Sequence, residues 1–116
     1  MSDRYLQVTF SNPVEGMEDE FNEWYDKVHI PDLLAIPGML SATRYDLRDA
    51  EVYRVEGGMP QEHRYLTIYE MEGDADTILA KIMEGVSSGE IVMSDSLDLP
   101  SSRMSFWNAR GPKVTE

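Results

Sequence analysis

Two hydrophobic periods follow one another along this chain in a fixed order, and that order narrows the possible folds more than any single residue does. Residues Arg4 to Ser11 alternate, with Leu6, Val8 and Phe10 on one face and Tyr5, Gln7 and Thr9 on the other, the pattern of a half-buried strand. A turn at Asn12-Pro13 leads to Met17, Phe21, Trp24 and Val28, which share one stripe at helical spacing. The acidic run Glu18, Asp19, Glu20 suits the positive end of that helix. The helix reads from about Gly16 to His29, because Pro31 lacks the N–H that would continue it and biases Ile30 away from helical angles. A short turn through Leu33, Leu34 and Ala35 follows, and Pro37-Gly38 ends it.

Met39 to Leu47 alternates again, with Ala42 and Arg44 on one face and Thr43 and Tyr45 on the other. Arg48 to Glu62 reads as a long charged connection containing Gly57-Gly58 and Pro60, with strand character at Val52-Tyr53-Arg54. His63 to Met71 sets Tyr65, Thr67 and Tyr69 against Leu66 and Ile68. Asp74 is placed to cap a second helix whose narrow apolar face is Ile78, Leu79, Ile82 and Met83, ended by Ser87-Ser88-Gly89. Ser94 to Ser102, polar and acidic, reads as a mobile loop over a pocket mouth. Met104 to Ala109 is the last strand, with Trp107 opposite in phase to Phe106 and Asn108.

Strand, helix, strand, strand, helix, strand within one domain spanning residues 1–116 predicts an α+β fold. It is the ferredoxin-like arrangement, a four-stranded antiparallel sheet with two helices on one face. No helix remains for the other face, and Tyr45, Tyr65, Tyr69 and Trp107 include side chains too large to leave in water. A second copy of the chain, packed sheet on sheet, would cover them, so a homodimer is expected.

Hydrophobic residues make up 41% of the chain and charged residues 28%, which fits a globular rather than a disordered protein. A formal charge of −12 repels phosphate backbones and anionic lipid, so neither nucleic acid nor membrane is an expected partner. No apolar run reaches spanning length and Met1-Ser2-Asp3-Arg4 lacks the pattern of a secretory signal, which makes the cytoplasm the expected location. With no cysteine there is no thiolate nucleophile and no disulfide framework. Neither histidine has a second ligand at helical spacing, so no metal site is predicted. Gly57-Gly58 and Gly73 lack the spacing of a phosphate loop, and no serine elbow is present. No cofactor is expected. Haem needs only one axial histidine, but the chain has no attachment motif.

His29 is the leading chemical candidate, a proton-shuttling imidazole beside Tyr25, with Asp32 beyond the proline. An imidazole that caps the helix end or pairs with Asp32 explains the same residues structurally. The expected helix terminus and Asp32 favour the imidazolium, burial among Trp24, Tyr25 and Val28 favours the neutral ring, and a shuttle needs the two nearly balanced. Tyr25 holds a substrate oxygen or orients His29, or is a core aromatic. Trp24 reads as core with a stacking alternative. Arg44, inward beside Ala42, binds a carboxylate or enolate, or else pairs with surface acids. Tyr69 and Trp107 are candidate pocket linings. His63, at a strand edge beside Glu62, reads as exposed.

The segment Glu20-Phe21-Asn22-Glu23-Trp24-Tyr25-Asp26-Lys27-Val28-His29-Ile30-Pro31-Asp32, continued by Leu33-Leu34-Ala35-Ile36-Pro37-Gly38 and Ser41-Ala42-Thr43-Arg44-Tyr45, resembles the EthD-like branch of the dimeric α+β barrel superfamily. Arg64 to Glu70 adds weaker support. The resemblance implies the ferredoxin-like fold paired into a dimeric barrel, and it matches His29 to the histidine of the EthD-like helix motif. Relatives include cyclases, isomerases, cofactor-free quinone-forming monooxygenases and haem-handling enzymes, so the fold does not select one chemistry.

Together these readings point to a cofactor-free enzyme doing acid–base chemistry on a small apolar aromatic or cyclic carbonyl metabolite, of isomerase, cyclase, lyase or oxygenase type. His29, Tyr25 and Asp32 are its catalytic candidates, and Trp24, Arg44, Tyr69 and Trp107 its substrate-binding candidates. The alternative is a non-catalytic dimeric binder of a hydrophobic metabolite or partner protein.

Overall fold

In the computed structural model, which describes residues 4–48 and 61–116, the alternating stretches are strands and the helical stripes are helices. Strand β1 spans Arg4–Ser11, β2 Met39–Asp46, β3 Tyr65–Glu72 and β4 Arg103–Trp107. Between β1 and β2 run α1 (Glu18–Trp24), a π-helical turn (Tyr25–His29) and α2 (Ile30–Leu34). Helix α3 (Ala75–Ser88) joins β3 to β4 by way of a 3₁₀ turn at Leu99–Ser101. The proposed strand at Val52-Tyr53-Arg54 and the Gly57-Gly58 pair lie outside the described residues. Among the described residues no helix is long and apolar enough to cross a membrane.

All pairings are antiparallel and the sheet order is β2-β3-β1-β4, the ferredoxin-like topology. Because side chains alternate, register decides which residues meet the helices. Tyr5, Gln7, Tyr65, Thr67, Tyr69 and Met71 are buried on the helix-covered face, while Leu6, Val8, Phe10, Leu66 and Ile68 occupy the other. The four large aromatics divide between the faces. Tyr65 and Tyr69 lie beneath the helices, whereas Tyr45 and Trp107, 48% and 58% exposed, stand on the open face.

The first helix does not stop at His29. The Ile30 N–H donates to the Tyr25 carbonyl, five residues back, and helical geometry then continues through Pro31 to Leu34. One wide turn is the physical answer to a proline inside a helical pattern. It places Pro31 in the first turn of α2, where a missing N–H costs nothing. Leu33 can then reach the core it shares with Met39, Met71 and Ile78.

Helix α3 has the expected Asp74 cap, whose carboxylate accepts from the Thr77 N–H at 2.9 Å. It ends at Gly89 with φ +85°, a left-handed cap. Its inner stripe is Ile78, Ile82 and Val86, so Met83, expected on that face, points into solvent. At the entry to β2 only glycine fits. Gly38 has φ +98°, and a Cβ there would lie 2.6 Å from Ile78 Cδ1 and 2.8 Å from the Glu72 carbonyl oxygen.

The core has two parts. Tyr5, Leu33, Met39, Tyr69, Met71, Ile78 and Ile91 form one cluster, and Phe21, Trp24, Tyr25 and Tyr65 form the other. Thr67 sits between Tyr65 and Tyr69 on β3, and Gln7 and Thr9 continue from it across β1, so a polar seam separates the clusters.

Candidate active site

His29 gains its surroundings from the π-helical turn. Residues five apart on a regular α-helix point about 140° away from each other, yet the His29 ring stacks on Trp24 with centroids 4.5 Å apart and 25° between planes. Tyr25 meets the same imidazole edge-on at 5.1 Å. His29 Nδ1 is buried and has no hydrogen-bond partner among the described residues. Burial pushes the imidazole down from 6.5 to about 4, against the opposing pull of Asp32. The balance expected from the sequence is therefore not reached. The ring does not lie at a helix terminus, one carboxylate does not offset desolvation, and His29 is neutral at physiological pH.

Asp32 and Trp24 share a different task. Asp32 Oδ2 accepts the Val92 N–H at 3.1 Å, and Trp24 Nε1 donates to the Val92 carbonyl at 2.8 Å. Both hold the segment after α3 against the helix. The Val14 N–H donates to the Ser96 carbonyl at 2.7 Å, the Asp98 N–H donates to the Asn12 carbonyl at 3.0 Å, and Ser96 is buried. The stretch read as a mobile loop is thus pinned, because its backbone groups find partners on the β1–α1 connection while its serine side chains bond within the stretch.

Arg44 points inward, with its side chain 14% exposed. Its NH1 pairs with Asp26 at 2.9 Å, its NH2 donates to Asn22 Oδ1 at 2.8 Å, and its guanidinium lies over Tyr25 at 4.6 Å. Both of its terminal nitrogens are engaged by α1 and the π-helical turn, and among the described residues Nε has no partner. Asn22 also donates to the Tyr65 hydroxyl at 3.2 Å, and that hydroxyl donates to Glu18. This last bond holds the Glu18 carboxyl below its ordinary value. Arg44 thus anchors the helix to the sheet, and its charge is neutralised in place.

Tyr69 is 1% exposed, and burial pushes its hydroxyl up, with Tyr25 adding to the effect and Arg44 opposing it. It belongs to the same interior as Tyr25. Trp107 does not, since β4 pairing puts it opposite Leu6 on the open face, where its Nε1 donates to Ser105 Oγ at 2.7 Å. The two cannot line one pocket within a chain. His63 is 8% exposed rather than free in solvent. Its Nε2–H donates to the Ser101 carbonyl at 2.6 Å and its ring meets Phe10 at 5.6 Å. A cleft of about 180 Å³ opens beside it, lined by Phe10, Tyr45, Leu47 and Leu66 among others, and its lining includes neither His29 nor Tyr25.

Gln7 and Thr67 escaped the sequence reading. Each is buried on the helix-covered face with a side-chain oxygen that has no partner among the described residues. The signal was present as polar residues at the inward phase of two alternating strands, between inward tyrosines. No group of three or more metal-ligating side chains is assembled among the described residues.

No family model matches the sequence and no curated protein matches it significantly. Solved structures do match in fold. A provisionally assigned monooxygenase from Shewanella loihica superposes with a TM-score of 0.62 at 14% identity, covering 97% of this chain and 99% of its own. An EthD family protein from Bacillus halodurans gives 0.58 at 16% identity, covering 94% and 99%. A variant of SnoaB, a cofactor-independent oxygenase from Streptomyces nogalater, gives 0.54 at 17% identity, covering 95% and 96%. Over nearly its whole length the chain shares the ferredoxin-like fold of these structures, one of which is of the EthD family that its helix motif resembles.

Proposed function

We propose that this chain is a cofactor-independent enzyme that removes a proton from a small apolar aromatic or cyclic carbonyl compound held where α1 meets the sheet. The observation that carries the reading is His29: a neutral imidazole, wedged between Trp24 and Tyr25, with a buried Nδ1 that none of the described residues engages. A neutral ring is already in the form that accepts a proton. Its low basicity restricts it to activated protons, such as one on a carbon next to a carbonyl or on a phenolic oxygen. As the C–H bond breaks, its electron pair moves onto the carbonyl oxygen, and the anion formed beside the ring raises the ring's hold on the proton. Asp32 favours the imidazolium so produced. Tyr25, edge-on to His29, is the candidate donor to the oxygen. Two of the fold neighbours carry oxygenase descriptions, which favours reaction of the resulting carbanion with dioxygen as the following step.

The assembly belongs to the same proposal. A second copy covering Leu6, Phe10, Tyr45 and Trp107 by sheet-on-sheet packing makes the homodimer, with an interface of roughly 1,500 Å² or more. Deuterium uptake at the α carbon of 2-tetralone in D₂O, followed by NMR, reads the proton transfer directly. Exchange above background that is lost in His29→Ala is the expected result. Equal exchange in both proteins overturns the enzymatic reading and leaves the binding module.

A further inference from the structure

The polar seam on the helix-covered face lies where a core should be apolar. Gln7 and Tyr69 are opposite one another in the β1–β3 ladder, and Thr67 faces Thr9 on one side and Arg44 on the other. Directly opposed side chains start about 5 Å apart at Cβ, so these residues form one contiguous patch. Gln7, Thr67 and Tyr69 are 5%, 0% and 1% exposed. Gln7 Oε1 and Thr67 Oγ1 nevertheless have no hydrogen-bond partner among the described residues, and the Tyr69 hydroxyl interacts with Tyr25 alone among their side chains. Leaving two buried polar atoms unmatched beside a third with a single neighbour is costly, and such groups are normally met by something.

Two further observations say what meets them. The first is charge. Arg44, the cation opposite Thr67, is committed to Asp26, Asn22 and the Tyr25 ring. Burial keeps the Tyr69 phenol protonated. The patch itself therefore offers neutral groups, and a carboxylate placed on it would meet only the Arg44 Nε–H, one donor of a cation already paired with Asp26, against the full cost of its own desolvation. A hydroxyl, by contrast, can donate to Gln7 Oε1 while accepting from Thr67 or Tyr69. The second is access. Phe106 and Met104 share the helix-covered face, opposite Gln7 and Thr9, yet stay 38% and 52% exposed. The helical layer stops short of β4 and leaves an apolar, aromatic approach to the seam. Gln7 is oriented from that side, with Nε2 donating to Thr9 Oγ1 at 3.3 Å and lying 2.9 Å from Met104 Sδ.

We infer that Gln7, Thr67 and Tyr69 form a binding row for an uncharged hydroxyl group on a flat apolar compound entering along β4, and that the row discriminates against carboxylates. The inference rests on the helix–sheet interior being the ligand site. It makes Gln7 and Thr67 specificity-determining residues, distinct from His29, which acts on the proton.

Calorimetric titration of the full chain with 2-naphthol, naphthalene and 2-naphthoate tests this. Naphthol should bind most tightly, with naphthoate at least about tenfold weaker, the equivalent of one lost hydrogen bond. Thr67→Val, nearly isosteric, and Gln7→Leu should each weaken naphthol by about the same factor while leaving naphthalene unchanged. Naphthoate binding as well as naphthol, naphthol affinity unaltered in both variants, or no naphthol binding up to about 1 mM, the weak end of pocket affinities, overturns the inference. The two readings fail separately. His29→Ala should retain naphthol affinity while losing exchange. Full exchange in that variant removes the proton-transfer proposal without touching the binding row.

Discussion

Replacing His29 by phenylalanine keeps a ring against Trp24 and removes the titrating group, which isolates the energetic consequence of burying an imidazole. The ordinary value of 6.5 falls to about 4 in the folded chain, burial being the larger cause and Asp32 opposing it. Between these values the unfolded chain holds a proton that the folded chain lacks, so acid favours unfolding. The stabilisation is complete above about 6.5 and is lost as pH falls through the folded value. From about pH 7.5 to 5.5 linkage gives roughly 1.3 kcal/mol, rising towards about 3 kcal/mol near pH 4. The upper window is the useful one, because the isoelectric point of 4.4 promotes association lower down. With a urea slope of about 1.5 kcal/mol per molar, the loss moves the unfolding midpoint by roughly 0.9 M. Titrations at both pH values and one fixed protein concentration should show this excess shift in the native chain and not in His29→Phe. Other titrating groups act equally in both proteins and cancel. Identical pH dependence in the two would refute the argument that His29 is buried and neutral.

Asp32→Asn removes the one influence that raises the His29 value, so an NMR titration of the ring should show protonation moving below about 4. Trp24→Phe leaves the Val92 carbonyl without its indole donor and should cost about 1 kcal/mol, with faster amide exchange between residues 91 and 98. Gly38→Ala meets the Glu72 carbonyl at 2.8 Å in a left-handed conformation, and a loss of at least about 2 kcal/mol in denaturant unfolding is expected. Trp107→Glu places a charge on the open face at its β4 edge, and for the proposed dimer sedimentation should report pairs of the native chain and single chains of the variant.

Much of the architecture is legible because periods of two and 3.6 are local properties. Arg4–Ser11 needs only its own alternation to be read as a strand, and Asp74 with Thr77 announces its cap. The centre of the first helix is harder. Pro31 reads as a stop, and only the burial of Leu33, a tertiary effect, makes the chain absorb it in a wide turn instead. That turn sets the His29 environment, so its protonation could not be read from neighbours in sequence. Trp107 and Tyr69 look alike as aromatics on strands. Only register across three strands sends them to opposite faces. Gln7 and Thr67 were hidden for the same reason, since being inward is invisible until the faces are assigned.

The grip on residue 92 by these two side chains passes through its backbone N–H and carbonyl. Trp24 takes the carbonyl and Asp32 takes the amide, while the valine side chain is exposed and contributes to neither bond. Natural variation at this position should therefore be wide, and a mutational scan should find most substitutions silent. Proline is the exception, because it alone deletes the amide hydrogen. Positions 24 and 32, by contrast, should tolerate little. An alignment would then show two constrained sites, eight residues apart, with no visible partner, although the partner is a stretch of main chain some sixty residues downstream.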